Sequence, residues 1–306
     1  MKNNKKCIVL FSGGLDSRLA LKIIQEQIGE KNVIALFFKL PFGTGCCDEI
    51  QGFNFTQKNN IKLEIIDCTK GRKLKDYLEI LKKPKYGVGK GVNPCNDCRI
   101  FILKLAKKYA KKNNIEIIAT GEVLGERPMS QMLKSLKLVE KESRLKNKIL
   151  RPLSAKLLPE TEYEKKGIIN RKKLYGIQGR QRKEQIRLTK KFNINYPHPA
   201  GGCLLCEKVF KKRFQILLRE NLINKKTQKL INIGRHFYFP DLKSWVIVGR
   251  NERENTFMES NFSNIIKSGK RKPAVYFNKK NSKNIAKKLQ KAYELKKPQM
   301  FKEYKI

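Results

Sequence analysis

Acidic residues are scarce in this 306-residue chain: 27 Asp and Glu stand against 69 Lys and Arg, a formal charge of +42. Solubility requires far less, and a coding bias toward Lys would not deplete acids to this degree, so the imbalance points to a polyanionic partner. Nucleic acid comes first, because no basic amphipathic helix dominates the chain as membrane-surface binding would need. Long apolar runs are also lacking; none approaches the roughly 18 residues of a membrane span. The apolar stretch after the basic N-terminus stops at Ser12-Gly13-Gly14, too soon for a signal peptide, so a cytoplasmic protein without membrane attachment is expected. Internal repeats are absent too. Hydrophobic residues still make up 40% of the chain, enough for buried cores, and the length allows about two domains.

The first part alternates strand and helix signals. Cys7 to Phe11 is a continuous apolar run, as for a strand buried on both faces of a parallel sheet. Leu19, Ile23, Ile24 and Ile28 then recur at helical spacing. Val33–Phe38, Leu63–Asp67 and Ile115–Ala119 read as further strands, with a helix through Ile100, Leu103, Ala106 and Ala110 before the last. This rhythm predicts an α/β doubly wound parallel sheet, whose ligands bind beyond the carboxyl ends of the strands. Helices are expected over Ser130–Arg144 and from about Gly179 to Phe192, and a turn over Tyr196–Gly202. A first domain over 1–208 and a smaller α+β domain over 209–306 follow. The latter is predicted to hold a helix from Val209 to Arg219 continued by another to about Leu230, a hairpin of His236–Phe239 and Trp245–Gly249, a strand at Ala274–Phe277 and a helix through Ile285, Leu289 and Tyr293.

Ser12-Gly13-Gly14-Leu15-Asp16-Ser17 joins the first strand to the first helix, where backbone N–H groups and the helix dipole make an anion site. The glycines admit a phosphate closely, and Ser12 and Ser17 offer hydroxyls. Asp16 would repel a phosphate unless Mg²⁺ lay between them. The Walker pattern is absent; Gly87 to Gly91 lacks both the preceding strand and the following Ser/Thr. In this position Ser-Gly-Gly-x-Asp-Ser resembles the signature of the PP-loop ATP pyrophosphatases, related in fold to the adenine-nucleotide α-hydrolases. The resemblance implies ATP and Mg²⁺ as cofactors, cleavage of ATP to AMP and pyrophosphate, and adenylation of a substrate oxygen.

Eight cysteines in a cytoplasmic chain imply thiol or metal chemistry rather than disulfides. Cys7 and Cys68 sit in apolar runs as core thiols, and the vicinal Cys46-Cys47 suits a loop packing feature or a spare ligand. Cys95 and Cys98 lie where a loop enters a helix, whose N-terminus favours thiolate. Cys203 and Cys206 repeat the C-x-x-C spacing. If the fold joins the pairs, Cys95, Cys98, Cys203 and Cys206 could hold a structural zinc or an iron–sulfur cluster, or could carry sulfur as persulfide.

Over residues 6–208 the chain is similar to the tRNA 2-thiouridylases. Their catalytic cysteine follows Asn-Pro by four positions, which carries over to Cys98 after Asn93-Pro94. Where they have Asp, this chain has Cys95. Ala119-Thr120-Gly121 resembles their nucleotide-contacting Ala-Thr-Gly, implying that Thr120 and Gly121 bind nucleotide, and Arg151-Pro152-Leu153 resembles a later Pro-Leu segment. Cys203 or Cys206 matches their second sulfur-handling cysteine. Their terminal β-barrel is missing here. The resemblance implies catalytic Asp16, Cys98 and Cys203, and, as partners, tRNA and a sulfur donor (a cysteine desulfurase, sulfur carrier or sulfide). Arg127, Arg180, Arg182 and Lys183 would steer the RNA backbone.

The C-terminal part, about Asn232 to Phe277, resembles the RNA-binding R domain of the NFACT ribosome-quality-control proteins, on Gly249 to Asn255 after a hairpin containing Arg235-His236-Phe237. It implies aromatic stacking and phosphate contacts from Arg235, Arg250 and Arg253. A hairpin core with a charged rim accounts for the same residues. The expected function is ATP-dependent tRNA uridine thiolation. The rivals are another PP-loop tRNA-modifying ligase, such as a lysidine synthetase, and a non-catalytic RNA-binding adaptor with a Cys₄ zinc site.

Overall fold

The computed structural model describes residues 5–43, 49–196 and 203–306, so Cys46, Cys47 and all but Tyr196 of the turn expected over 196–202 lie outside the described residues. The chain forms two compact units, Met1–Lys208 and Val209–Ile306. No helix among the described residues is long and apolar enough to cross a membrane.

In the first unit, β1 (Cys7–Phe11) is buried at every position and leads into α1 (Leu15–Ile28), followed by β2 (Val33–Lys39), α2 (Glu49–Lys58), β3 (Lys62–Asp67) and α3 (Gly71–Lys82). Then come α4 (Cys95–Lys112), β4 (Ile117–Thr120), α5 (Leu133–Glu142), the short β5 (Ile149–Leu150), α6 (Glu162–Lys165) and α7 (Lys183–Lys191). The five strands are all parallel, in the order β3-β2-β1-β4-β5. The α/β doubly wound sheet is therefore as expected. The chain leaves β1 for β2 on one side and returns to β4 on the other, so the order reverses at β1, and a crevice opens beyond the carboxyl ends of β1 and β4. Val9, Ala35 and Ala119 are fully buried beside Leu19 and Ile23 of α1, which closes one face of the sheet.

Two helix readings needed correction. The helix expected over Ser130–Arg144 is shorter, Leu133–Glu142. The helix expected to Arg219 is α8 (Lys211–Arg219), which ends where Asn221 takes a left-handed φ of 55°; the second helix expected to about Leu230 is only a 3₁₀ turn, Thr227–Leu230.

The second unit continues with β6 (Arg235–Phe239), β7 (Ser244–Val248), α9 (Glu252–Asn261), β8 (Ile265–Ile266), β9 (Val275–Phe277) and α10 (Lys283–Glu294). Its strands form an antiparallel sheet in the order β6-β7-β9-β8. Ala286 and Leu289 of α10 cover one face with Phe237, Val246 and Phe277. Phe237, Phe239, Trp245 and Tyr276 are all buried. The sheet aromatics are core, which corrects the expectation that they stack on bases.

His236 is fully buried, and both ring nitrogens are used: Trp245 Nε1 donates to Nδ1 at 3.0 Å, and Nε2 donates to the Ile233 carbonyl at 2.8 Å. That arrangement needs a neutral ring, and burial holds its pKa well below the ordinary value. The unfolded chain therefore takes up a proton first as pH falls through about 6.5, so the stabilising contribution of the neutral ring is present above that pH and lost below it. Urea unfolding followed by the fluorescence of Trp245, the sole tryptophan, should show stability falling below about pH 6.5 by up to ~1.4 kcal/mol per pH unit. His236→Gln should reduce that slope; an unaltered slope would remove His236 as its source.

Candidate active site

The loop after β1 is shaped by backbone conformation before side chains enter. Gly13 takes a φ of 83°, which few other residues tolerate, and turns the chain into α1. The N-cap is Gly14, and no side chain caps the helix, so its first N–H groups are left for an anion. Ser17 Oγ donates to the Gly14 carbonyl at 2.8 Å, closing the turn from inside. Arg18, one residue past the motif, pins it from behind: Nε donates to the Gly13 carbonyl at 2.7 Å, and Nη1 to the Asn195 carbonyl at 2.5 Å. The Asp16 carboxylate has a buried Oδ1 with no hydrogen-bond partner among the described residues. Burial, then the nearby Glu126 charge, push its pKa up to about 6. A buried carboxylate oxygen beside an uncapped helix N-terminus fits a divalent cation bridging to phosphate.

The end of β4 meets this loop. A Cβ at Gly121 would lie 2.6 Å from the Asp16 carbonyl group and the Ser17 nitrogen. Glycine here is thus explained by the close packing of the phosphate loop. Thr120 Oγ1 donates to Glu122 at 3.0 Å, and the buried Glu122 is also held by Arg99 and by Arg151.

The two C-x-x-C pairs come together at the same crevice. Cys95 and Cys98 occupy the first turn of α4, and the buried Asp97 between them accepts the backbone N–H groups of Lys85 and Tyr86 at 3.0 and 3.1 Å. The preceding loop is thereby tied to the helix. The same loop grips the second pair, as Val92 N–H donates to the Leu205 carbonyl at 2.8 Å, and the segment after β2 adds a further contact, Leu204 N–H donating to the Phe42 carbonyl at 3.2 Å. A cavity of about 320 Å³ results. It is lined by Ser12, Gly14, Asp16, Ser17, Thr120 and Gly121 together with Cys95, Cys98, Cys203 and Cys206. Gly13 stands in the loop without lining the cavity.

The four thiols are not equivalent. Cys203 and Cys206 sulfurs lie 3.9 Å apart, and the hydrogen bond from Cys206 lowers the Cys203 pKa while raising that of Cys206. Cys95 is raised, first by its hydrogen bond with Cys206 and then by burial. Burial pushes Cys98 up to about 12, opposed by the Tyr77 hydroxyl 3.5 Å away. The thiolate expected at the N-terminus of α4 is therefore not favoured there; desolvation outweighs the helix, and Cys203 is the thiol with the lowered value. The zinc and iron–sulfur expectations find no support: among the described residues no group of three or more His, Cys, Asp or Glu side chains is placed to hold a metal.

The family model of thiamine biosynthesis protein ThiI matches residues 3–176, more than half of the chain. The chain belongs to the ThiI family. Uncharacterized protein MJ1599 of Methanocaldococcus jannaschii is 26% identical over 135 residues, 44% of this chain and 44% of that protein, so the match spans less than half the length of this relative. Among solved structures the chain is similar to the NH₃-dependent NAD synthetase from Campylobacter jejuni subsp. jejuni in complex with nitrate. Identity is 17% and the TM-score 0.36, over 62% of this chain and 65% of that one. The ThiI match includes the phosphate loop, Cys95 and Cys98, and ends before Cys203 and the second unit.

Of the basic residues expected to guide RNA, Arg127 and Arg182 line this ThiI-family cavity, while Arg180 and Lys183 are exposed outside it. Arg182 is engaged inside, donating to Glu126 at 2.9 Å. In the second unit, Arg250 is bound to Glu254 and to the Asn232 carbonyl, and Arg235 lies over the Tyr293 ring at 5.2 Å. Arg253 is exposed. Sequence reasoning missed Arg18, Tyr77, Glu122 and Glu126. Glu122, directly after Ala-Thr-Gly, was within reach of it; the others are brought in by packing alone.

Gly91 tests the clasp between the cysteine loops, because a Cβ there would sit 2.1 Å from the Leu205 carbonyl oxygen. Gly91→Ala should push the Cys203–Cys206 segment away, raising its alkylation rate several-fold while buried Cys7 stays unreactive. Peptide mass spectrometry after brief iodoacetamide treatment measures both. Equal labelling of Cys203 in the variant and the parent would mean that the segment is held by other contacts.

Proposed function

We propose that this ThiI-family chain is an enzyme of ATP-dependent tRNA uridine thiolation, a tRNA sulfurtransferase of 2-thiouridine type. One observation carries the reading: a single cavity holds both an uncapped phosphate loop with an unpartnered carboxylate oxygen and four cysteine thiols. A nucleotide site alone needs no thiols, and a thiol site alone needs no phosphate loop. Net charge of +42 supplies the attraction to a polyanionic substrate.

In this reading the loop N–H groups and the Ser12 and Ser17 hydroxyls hold the phosphates of ATP, and Asp16 holds Mg²⁺. The metal supplies charge neutralisation for the leaving pyrophosphate. The uridine carbonyl oxygen attacks the α-phosphorus; an O–P bond forms, the bond to the β-phosphate oxygen breaks, and pyrophosphate leaves. Persulfide sulfur on Cys98 or Cys203 then attacks the activated carbon, and AMP departs with the former carbonyl oxygen. Attack of a second cysteine thiol on the inner sulfur breaks the S–S bond, releasing thiouridine and leaving a disulfide for an external thiol to reduce. The lowered Cys203 thiol suits receipt of sulfane sulfur from a donor persulfide such as that of a desulfurase: the thiolate, the reactive form, attacks the outer sulfur and the donor leaves as its thiol. The second unit, with Arg253 exposed on α9, adds RNA affinity in the manner of the NFACT-like resemblance.

Asp16→Ala should abolish ATP-to-AMP turnover and leave tRNA binding close to normal. Cys98→Ser and Cys203→Ser should each lose thiolated nucleoside, measured by mass spectrometry of digested tRNA, while melting temperature and AMP formation persist. Variants that melt early and lose AMP formation as well would point to a structural role for the thiols. Arg253→Ala should lower the slope of log affinity against log salt by about one, as expected for one lost phosphate contact; an unaltered slope would place that arginine outside the RNA interface.

A further inference from the structure

The first unit contains a second cavity, of about 710 Å³, walled by α5, β5 and the turn that follows. It shares no residue with the cavity of the phosphate loop. Arg151 lines it with its side chain only 3% exposed. Two of the guanidinium nitrogens are fixed, Nε on Glu122 at 3.0 Å and Nη1 on Glu140. The third, Nη2, is buried and has no partner among the described residues. An arginine held rigidly by two carboxylates, with a free pair of N–H donors, is preorganised for a third anion.

The remaining charges agree. Lys137, Lys141 and Lys146 also line the cavity, are exposed, and make no ion pair among the described residues. Both lining carboxylates are already committed. Glu140 takes Arg151 and the Asn147 N–H, and Glu164 takes the Thr161 N–H and hydroxyl and Arg171. The rest of the wall is largely aliphatic, with Leu133, Leu136, Leu158 and Pro159. A bare inorganic ion would leave this apolar surface uncovered, whereas a ligand with one phosphate and a flat uncharged body would use both kinds of wall.

We propose that this cavity is a second binding site, for a nucleoside monophosphate unit, with the phosphate on Arg151 and the lysines and the base against the leucines. The unit could be free or part of an RNA strand. Only the RNA source rests on the function proposed above. Occupation would reach the first cavity through Glu122, which lines that cavity and also binds Arg151.

The test uses the full chain with 5′-UMP and a tRNA transcript as probes. Two variants alter the cavity at exposed positions: Lys137→Glu with Lys141→Glu, which reverses charge, and Leu133→Trp, which fills space without changing charge. Lys111→Glu with Lys112→Glu, at the exposed end of α4, controls for net charge. Both cavity variants should weaken UMP binding at least tenfold in calorimetry, with melting temperature and ATP-to-AMP turnover unchanged. A matching loss for tRNA identifies an RNA nucleotide as occupant, and a loss confined to UMP identifies a free nucleotide. A loss confined to tRNA and seen with Leu133→Trp also supports the site, for strand-linked nucleotide. Binding of both probes that survives Leu133→Trp, or that falls equally in the control, overturns the proposal. Absence of thiolated tRNA together with cavity-dependent UMP binding would sink the function proposed above and leave this site standing.

Discussion

Everything chemical in the first unit depends on how closely the end of β4 lies against the start of α1. At Gly121 the approach leaves no room for a methyl group. It follows from parallel pairing of β1 with β4, in the register Cys7↔Ile117 to Leu10↔Thr120, which brings both strand ends level. A loop leaving β1 must therefore share its space with whatever follows Thr120. Here that neighbour is Glu122, whose two arginines hold its charge in place beside the phosphate loop. The anion site and the carboxylate cluster are thus consequences of one strand adjacency, while the cysteines reach the same crevice through the separate contacts of Val92 with Leu205 and Leu204 with Phe42.

The fold was readable wherever the signal was local. The runs Cys7–Phe11 and Val33–Phe38 are continuous and apolar because their strands are covered on both faces, and the glycine turn announces itself between strand and helix. The thiol chemistry was not local. Position in the first turn of α4 suggests a lowered Cys98, yet burial decides the outcome, against the Tyr77 hydroxyl that pulls the other way. Tyr77 comes from α3, whose Leu74, Tyr77, Leu78 and Leu81 carry a helical pattern that the strand-by-strand reading passed over. The second unit misled in another way. An aromatic strand looks the same in sequence whether it faces RNA or a core, and only the coverage by α10 distinguishes them.

The few acids of the first unit repay attention as a group. Glu122, Glu126 and Glu164 are buried or nearly so, each paired with arginine, and Glu140 is paired with the buried Arg151. These four serve internal positioning, while others pair at the surface, as Glu116 does with Lys5 and Glu64 with Lys62; with 69 Lys and Arg against 27 acids, much of the lysine outside still lacks a neutralising partner. A surface built this way attracts polyanions at long range, while rigid ion pairs inside set the geometry.

The clasp between Val92 and Leu205 also dictates when the cavity can exist. Strands β1 to β4 and the phosphate loop are complete once Thr120 has been made, so an ATP-binding shape is available to a half-synthesised chain. The Cys203–Cys206 segment can join only after more than eighty further residues have been added and the loop of more than a hundred residues between Val92 and Leu205 has been closed. Long loop closure is slow, and domains fold as their sequence emerges from the ribosome. The phosphate loop is therefore an early product of translation and the pairing of the two cysteine loops a late one. A chain stalled between them would have a phosphate loop and the thiols of α4, without the second pair beside them.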